Sequence, residues 1–234
     1  MKPLRLQLSG LLYLIGLYPD VQDKIHQELN SVLELTARVS FGRRSERTQI
    51  PGVRPKAPKE EDLKTQNFSG CERIIHCMAR TRKQTQESEK LNLINATAEC
   101  YRLYPPSPLF ARKISEEISI CGYKIPKKTT VVVSPFLVHR DENVFPDPEK
   151  FDPERFLPEN SANIPECAYI PFAAGPRNCI GRVFAEMEVK VLVCHILRNF
   201  SFTLWTRGTK CFPLPKITLQ SSQPARIKFR RRQQ

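Results

Sequence analysis

The chain has 234 residues, enough for one domain with a sizeable core or two small ones. Hydrophobic residues make up 40% and charged residues 26%, a globular balance, while 20 prolines argue against a plain helical bundle and for many turns and long ordered loops. The formal charge of +13 raises the question of nucleic acid, but its surplus sits mainly in residues 37–90 and in Arg226, Lys228, Arg230, Arg231 and Arg232, with no interleaved stacking aromatics and no single basic helix face, so no nucleic-acid partner is expected.

In chain order, residues 4–17 predict a helix. Its apolar stretch (Leu11, Leu12, Leu14, Ile15 and Leu17) stops at Tyr18-Pro19-Asp20, too short to span a membrane. Pro19 suits the first turn of a second helix, along which Val21, Ile25, Leu29 and Leu33 form one apolar stripe. From residue 37 to 90 the periodicity collapses into polar, charged, proline-broken sequence such as Pro55-Lys56-Ala57-Pro58-Lys59-Glu60-Glu61-Asp62. Such sequence cannot offset its ordering entropy, so the segment reads as a mostly disordered insert with a short helix around Ile74 to Met78. Cys71, His76 and Cys77 within it fall short of a tetrahedral metal set.

Helical pattern resumes at residue 91 with Leu93, Ile94, Ala98 and Tyr101, and Pro105-Pro106 must end it. Residues 109–134 read as strands: Ile118 and Ile120 alternate with polar residues, Gly122 punctuates, and Thr129 to Ser134 is a β-branched run. Residues 135–178 are proline-rich and irregular apart from short helical turns, a length of loop that usually carries function. A last helix over 181–199 is expected to carry Val183, Phe184, Met187, Val191, Leu192 and Ile196 on one face. Strands around Ile217-Thr218-Leu219 and Ile227-Lys228-Phe229 close the chain.

Eight cysteines are scattered without a regular framework and without a C-x-x-C pair, which reads as reduced thiols in a cytosol-facing protein. One stands apart. Cys179 directly precedes the last helix, where free N–H groups and the helix dipole favour negative charge on sulfur, the form that binds metal. Gly175 and Gly181 remove side chains on either side, Arg177 supplies a fixed cation for a carboxylate, and Phe172 offers an apolar cover. A lone Cys-x-Gly would read as a small buried residue in a turn. Five fixed positions in ten, F-x-x-G-x-R-x-C-x-G, read otherwise.

That word, Phe172 to Gly181, resembles the haem-ligand signature of the cytochrome P450 family. Glu99 and Arg102, at i and i+3 and followed by Leu103-Tyr104-Pro105-Pro106, resemble its E-x-x-R helix and exit. Phe151-Asp152-Pro153-Glu154-Arg155-Phe156 resembles its second arginine motif. The resemblance implies a mainly α fold with a small β component, of which this chain is the C-terminal portion. Residues 1–36 would be the end of the distal helix and the following helix, 37–90 the insert, and 91–234 the haem-binding region. It further implies that Cys179 is the axial ligand of the haem iron, with Phe172, Gly175, Arg177, Gly181 and Arg112 around the haem and Arg112 on a propionate. Glu99, Arg102 and Arg155 would form a buried triad, whose disruption typically costs about 3–5 kcal/mol. His139, in His139-Arg140-Asp141, reads as a hydrogen-bonding structural residue and not a ligand.

The implied activity is that of a haem-thiolate monooxygenase, an oxidoreductase acting on paired donors with incorporation of molecular oxygen. Haem b is the cofactor, NADPH supplies electrons through a reductase-type partner, and the substrate is an apolar small molecule. The wording from Arg102 to Pro108 and from Pro171 to Gly181 is nearest to family-4 members, which hydroxylate fatty acids at or near the ω end. Location on the cytosolic face of the endoplasmic reticulum follows by resemblance, although no anchor or membrane span is seen in the sequence. Arg182, Lys190 and Arg198 are candidate docking charges for the reductase, against the plainer reading of solvated helix charges. Family members are about twice as long. Residues 4–17 resemble only the far end of the helix that carries the oxygen-activating acid–alcohol pair, so no catalytic residue is identified, and the alternative is a truncated, non-catalytic fragment that binds haem at most.

Overall fold

The computed structural model describes residues 2–31, 92–205, 213–214 and 218–232. The expected insert, its short helix, Leu33 and the Cys71/His76/Cys77 group lie outside the described residues.

The first helix, α1, spans Lys2–Leu17 and places Leu11, Leu12, Leu14 and Ile15 in the core. After the break at Tyr18, whose N–H still reaches Leu14 O at 3.1 Å, α2 runs over 19–31 with Pro19 at its start and buries Val21, Ile25 and Leu29. The third helix, α3, spans Asn92–Leu103 and is buried over most of its length. It stops where Pro105-Pro106 deny it donors, and Tyr104 N–H closes onto Cys100 O at 2.7 Å. The last long helix, α6 (Arg182–Asn199), packs with α1 and α3. Each fully buried Leu, Ile or Val stabilises this core by about 1.5–3 kcal/mol relative to an exposed one.

Among the described residues the β component is four antiparallel two-stranded ribbons. In the first, β1 (Phe110–Lys113) pairs with β4 (Thr130–Val133), setting Arg112 opposite Val131. In the second, β2 (Ile118–Ile120) and β3 (Tyr123–Ile125) form a hairpin turned by Cys121 and Gly122 at φ 50° and 83°, a two-residue turn that needs left-handed backbone at both positions. The third pairs β5 (Phe200–Leu204) with β8 (Ile227–Arg231), and the fourth pairs β6 (Pro213–Leu214) with β7 (Gln220–Ser221). Between β4 and α6 run two helical turns, α4 (Pro135–Val138) and α5 (Pro158–Ser161), and the 3-10 turns Pro153–Phe156 and Gly175–Arg177. The fold is mainly α with a small β component.

Three expectations are corrected. The buried face of α6 is Val189, Val193, Cys194 and Leu197, whereas Val183, Phe184 and Met187 are exposed. The core therefore meets only the C-terminal half of that helix. Among the described residues, Thr218 and Leu219 are not in a strand; the ladder begins at Gln220, after Leu219 N–H bonds Pro106 O at 3.1 Å. Strand β5 has no counterpart in the sequence reading, which lets α6 end with no element behind it.

Candidate functional site

The site rests on a buried polar knot. Glu99 and Arg102 stand three residues apart on α3, so their side chains leave the same face. Both are 0% exposed, and the guanidinium forks onto the carboxylate, Nε to Oε2 at 2.7 Å and Nη2 to Oε1 at 2.8 Å. The other Arg102 donors are spent on backbone: Nη1 on His139 O at 2.9 Å and Nη2 on Lys150 O at 3.1 Å. Phe145 covers the guanidinium, its ring centre 5.3 Å from Cζ. Glu99 Oε1 also accepts Asp152 N–H at 3.0 Å and lies 3.6 Å from Arg155 Nε, beyond hydrogen-bond length, so Arg155 acts there as a charge. The 3-10 turn Pro153–Phe156, capped by Asp152, delivers Arg155, whose Nη2 donates to Asp147 O at 3.0 Å.

His139 joins this knot to the cysteine loop. Ile170 N–H donates to its Nε2 at 2.8 Å, so the proton sits on Nδ1, which donates to Arg102 O at 3.3 Å. Burial pushes the imidazole pKa down to about 4, the nearby Arg102 and Arg140 charges add to the shift, and the Arg102 carbonyl opposes it. The ring is therefore neutral and cannot reverse its donor–acceptor order at ordinary pH. Beside it, Tyr169 OH donates to Ala98 O at 2.9 Å and its ring lies 4.8 Å from Phe156. Tyr169 and Ile170 are thus fixed where the chain enters the loop.

The loop itself reverses sharply, with Ala173 at φ 60° and Gly175 at φ 76°. Phe172 is buried edge-on against Tyr101, ring centres 5.2 Å apart, and its carbonyl accepts Cys179 N–H at 2.9 Å, which closes the loop. Cys179 O then accepts Arg182 N–H at 3.2 Å and Gly181 O accepts Ala185 N–H at 2.9 Å, so the cysteine stands at the mouth of α6. Its thiol is exposed. A Cβ on Gly181 would stand 3.9 Å from the sulfur, whereas one on Gly175 would meet nothing within 4 Å. Gly175 is required by its backbone and not by crowding. Ile180, Val183, Phe184 and Met187 follow the cysteine at helical spacing and are all exposed, an unusual apolar group around one thiol.

From β1, Arg112 reaches over to donate Nη2 to Arg177 O at 3.1 Å, with its guanidinium 4.9 Å from the Phe110 ring centre. Among the described residues, Arg112 and Arg177 have no carboxylate within 4.0 Å, and no group of three His, Cys, Asp or Glu side chains converges to hold a metal ion. A metal on Cys179 would thus take its remaining ligands from outside the described protein groups.

The structure brings Phe172, Gly175, Arg177, Cys179, Gly181 and Arg112 together, above the knot of Glu99, Arg102 and Arg155. Of the suggested docking charges, Arg182 pairs with Glu186 at 2.8 Å and Lys190 has a partner of its own. Sequence reasoning missed Tyr169, which carries no signal of its own. It also missed the clamp role of Arg140, which bonds Leu103 O at 2.9 Å and Glu149 at 2.6 Å and stacks on Phe136 at 3.9 Å. Its place between His139 and Asp141 was the available hint.

An exposed thiol thus stands at a helix mouth, followed by exposed apolar side chains, on a loop tied through His139 to a buried ion pair of a mainly α scaffold. A family model described as Cytochrome P450 matches residues 73–229. Cytochrome P450 4V2 of Rattus norvegicus is 39% identical over 193 residues, 82% of this chain and 29% of that protein. The Homo sapiens protein of the same name is 35% identical over 225 residues, 96% of this chain and 35% of that protein. Cytochrome P450 4g1 of Drosophila melanogaster is 47% identical over 104 residues, 44% of this chain and 19% of that protein. The chain belongs to the cytochrome P450 family, and these relatives carry family-4 names. It spans about a third of the length of the P450 4V2 proteins it matches.

Proposed function

We propose that Cys179 is the axial ligand of a haem b iron and that the chain forms the thiolate side of a haem-thiolate monooxygenase. The observation that carries this reading is an exposed thiol at the mouth of α6 that, among the described residues, belongs to no group of three or more His, Cys, Asp or Glu side chains able to hold a metal ion. A porphyrin would bring four nitrogen donors of its own, so a single protein thiol fits as the donor the chain contributes. The apolar rim fits as well: Ile180, Val183, Phe184 and Met187 are costly to leave in water and suit the face of a flat macrocycle. Arg112, free of any carboxylate within 4.0 Å among the described residues, is the side chain for a propionate.

When bound, haem would supply dioxygen chemistry, in which one oxygen atom would enter an apolar C–H bond and the other would leave as water, with two protons and with two electrons from the NADPH-dependent donor. The residues of this chain supply placement. Cys179 presents its exposed sulfur at the mouth of α6. The Phe172–Cys179 bond fixes its height, and His139 ties the loop entrance to the Glu99–Arg102 pair. Residues 1–36 serve as the end of a distal helix and its successor, and 91–234 as the haem-binding region. An NADPH–cytochrome P450 reductase-type donor, an apolar substrate of fatty-acid type and the cytosolic face of the endoplasmic reticulum belong to the same proposal. No helix among the described residues is long and apolar enough to cross a membrane.

The test is reconstitution of the full chain with haem. The reduced, carbon-monoxide-bound spectrum is expected to be of the thiolate type and to be lost in Cys179→Ser; a spectrum unaffected by that change would overturn the ligand assignment. A second reading, haem binding without turnover, is favoured by the exposure of Ile180, Val183, Phe184 and Met187, which the described residues leave uncovered. NADPH-dependent hydroxylated product in the presence of a reductase distinguishes the two.

A further inference from the structure

The β5–β8 ribbon has two unlike faces. Phe202, Leu204 and Ile227 point inward, and the cross-strand pairs of the opposite parity, Ser201 with Arg230 and Thr203 with Lys228, point outward. The ladder continues one step past the strands, where Trp205 N–H donates to Arg226 O at 2.8 Å, adding Trp205 and Arg226 to the outer face. That face therefore carries Ser201, Thr203 and Trp205 on one strand and Arg226, Lys228 and Arg230 on the other, with no acidic residue among them. The three cations are exposed, at alternate positions, and among the described residues none has a carboxylate within 4.0 Å. Among the described residues an acid intervenes at the far end, where Arg232 lies 3.6 Å from Asp23. Trp205 is 63% exposed, and Lys228 Nζ stands 5.4 Å from its ring centre.

We propose that this outer face docks on an anionic phospholipid surface. Three like charges side by side repel one another in the free chain, and that repulsion is relieved only against negative charge. A two-stranded ribbon presents its cations at one level, matching a plane of headgroups. Trp205 adds an amphipathic ring at that level, where an indole is most at home between hydrocarbon and water. An acidic protein is the weaker match, since lysine is depleted in protein interfaces and the face offers no apolar centre apart from one indole. The assignment does not depend on haem or on turnover.

The chain contains one tryptophan, so its emission reports this face directly. The full chain is titrated with vesicles of phosphatidylcholine alone and with vesicles containing phosphatidylserine. The expected result is a blue shift and co-sedimentation with the serine-containing vesicles only, weakening as salt rises. Each cation near such a surface contributes about five-fold to partitioning, so replacing Arg226, Lys228 and Arg230 by Gln should weaken it roughly a hundred-fold. The corresponding variant with Lys at all three positions should retain it, which separates charge from folding. An equal response to neutral vesicles would overturn the proposal, as would undiminished binding of the Gln variant. Tighter binding of polyglutamate than of the anionic vesicles would reassign the face to an acidic protein.

Discussion

Exchanging Glu99 for Gln preserves shape but leaves two guanidinium groups facing a neutral amide inside the protein. Arg102 is wholly buried, so its charge cannot be recovered by water. The expected loss is about 3–5 kcal/mol, read as a lower urea midpoint. Arg155→Gln should cost less, because Arg155 is partly exposed and stands 3.6 Å from the carboxylate without a hydrogen bond to it. The damage should also reach Cys179, since Arg102 O is one of the two anchors of His139 and His139 holds Ile170 at the entrance to the cysteine loop. A loosened loop would show as faster proteolysis between residues 170 and 180.

On the scale of elements, α6 divides in two. Its C-terminal half contributes Val189, Val193 and Leu197, all 0% exposed, to the core, while its N-terminal half holds Val183, Phe184 and Met187 outward beside the thiol. Leu197→Ala should therefore cost about 2–5 kcal/mol in thermal melts, and Phe184→Ala should change stability by less than about 0.5 kcal/mol without haem yet weaken haem uptake. Equal destabilisation by both would contradict the division. The same helix marks where the sequence stopped being legible. Apolar periodicity gives the helix but does not distinguish a side chain that meets the core from one that stays exposed, so it predicts one stripe where the helix has a buried and an exposed apolar part. Helices α1 and α3 were readable because proline ends each and a single core takes their apolar positions. The three motifs of the candidate site were readable as words, but their meeting was not: Glu99 and Arg155 are 56 positions apart, and only the folded chain sets them side by side. Strand β5 was lost because it follows α6 with no glycine or proline between, although the alternation in Phe200-Ser201-Phe202-Thr203-Leu204 was its signal.

At the scale of the whole molecule, His139 and Glu28 bias stability against pH in opposite directions. The His139 pKa falls from 6.5 to about 4 on folding, so its contribution is full above about 6.5 and is lost as pH falls toward 4, by at most about 3 kcal/mol. Glu28, on α2 beside Asn92 and Leu93 at the start of α3, is shifted upward from 4.5 to about 7, chiefly by burial. Asn92 and Leu93 act to lower it, but neither Glu28 oxygen has a hydrogen bond of ordinary geometry among the described residues. Its contribution is full below about 4.5 and declines as pH rises toward 7. The two windows overlap with opposite sign and flatten the profile between pH 4.5 and 6.5. Urea titrations across that range should show Glu28→Gln losing stability toward acid more steeply than the parent chain, and His139→Gln losing it toward base more steeply. Parallel profiles would exclude the opposition.

The Gln22 side chain donates Nε2 to Phe202 O and accepts Phe202 N–H, both at 3.0 Å. Both backbone groups of Phe202 therefore face away from β8, on the margin of the ribbon that would otherwise be open to another strand. One amide stands in for a neighbouring chain, and a second molecule arriving in extended form finds that rung of the ladder already taken. The helix that buries Val21 and Ile25 thus also guards the sheet margin against unwanted strand addition.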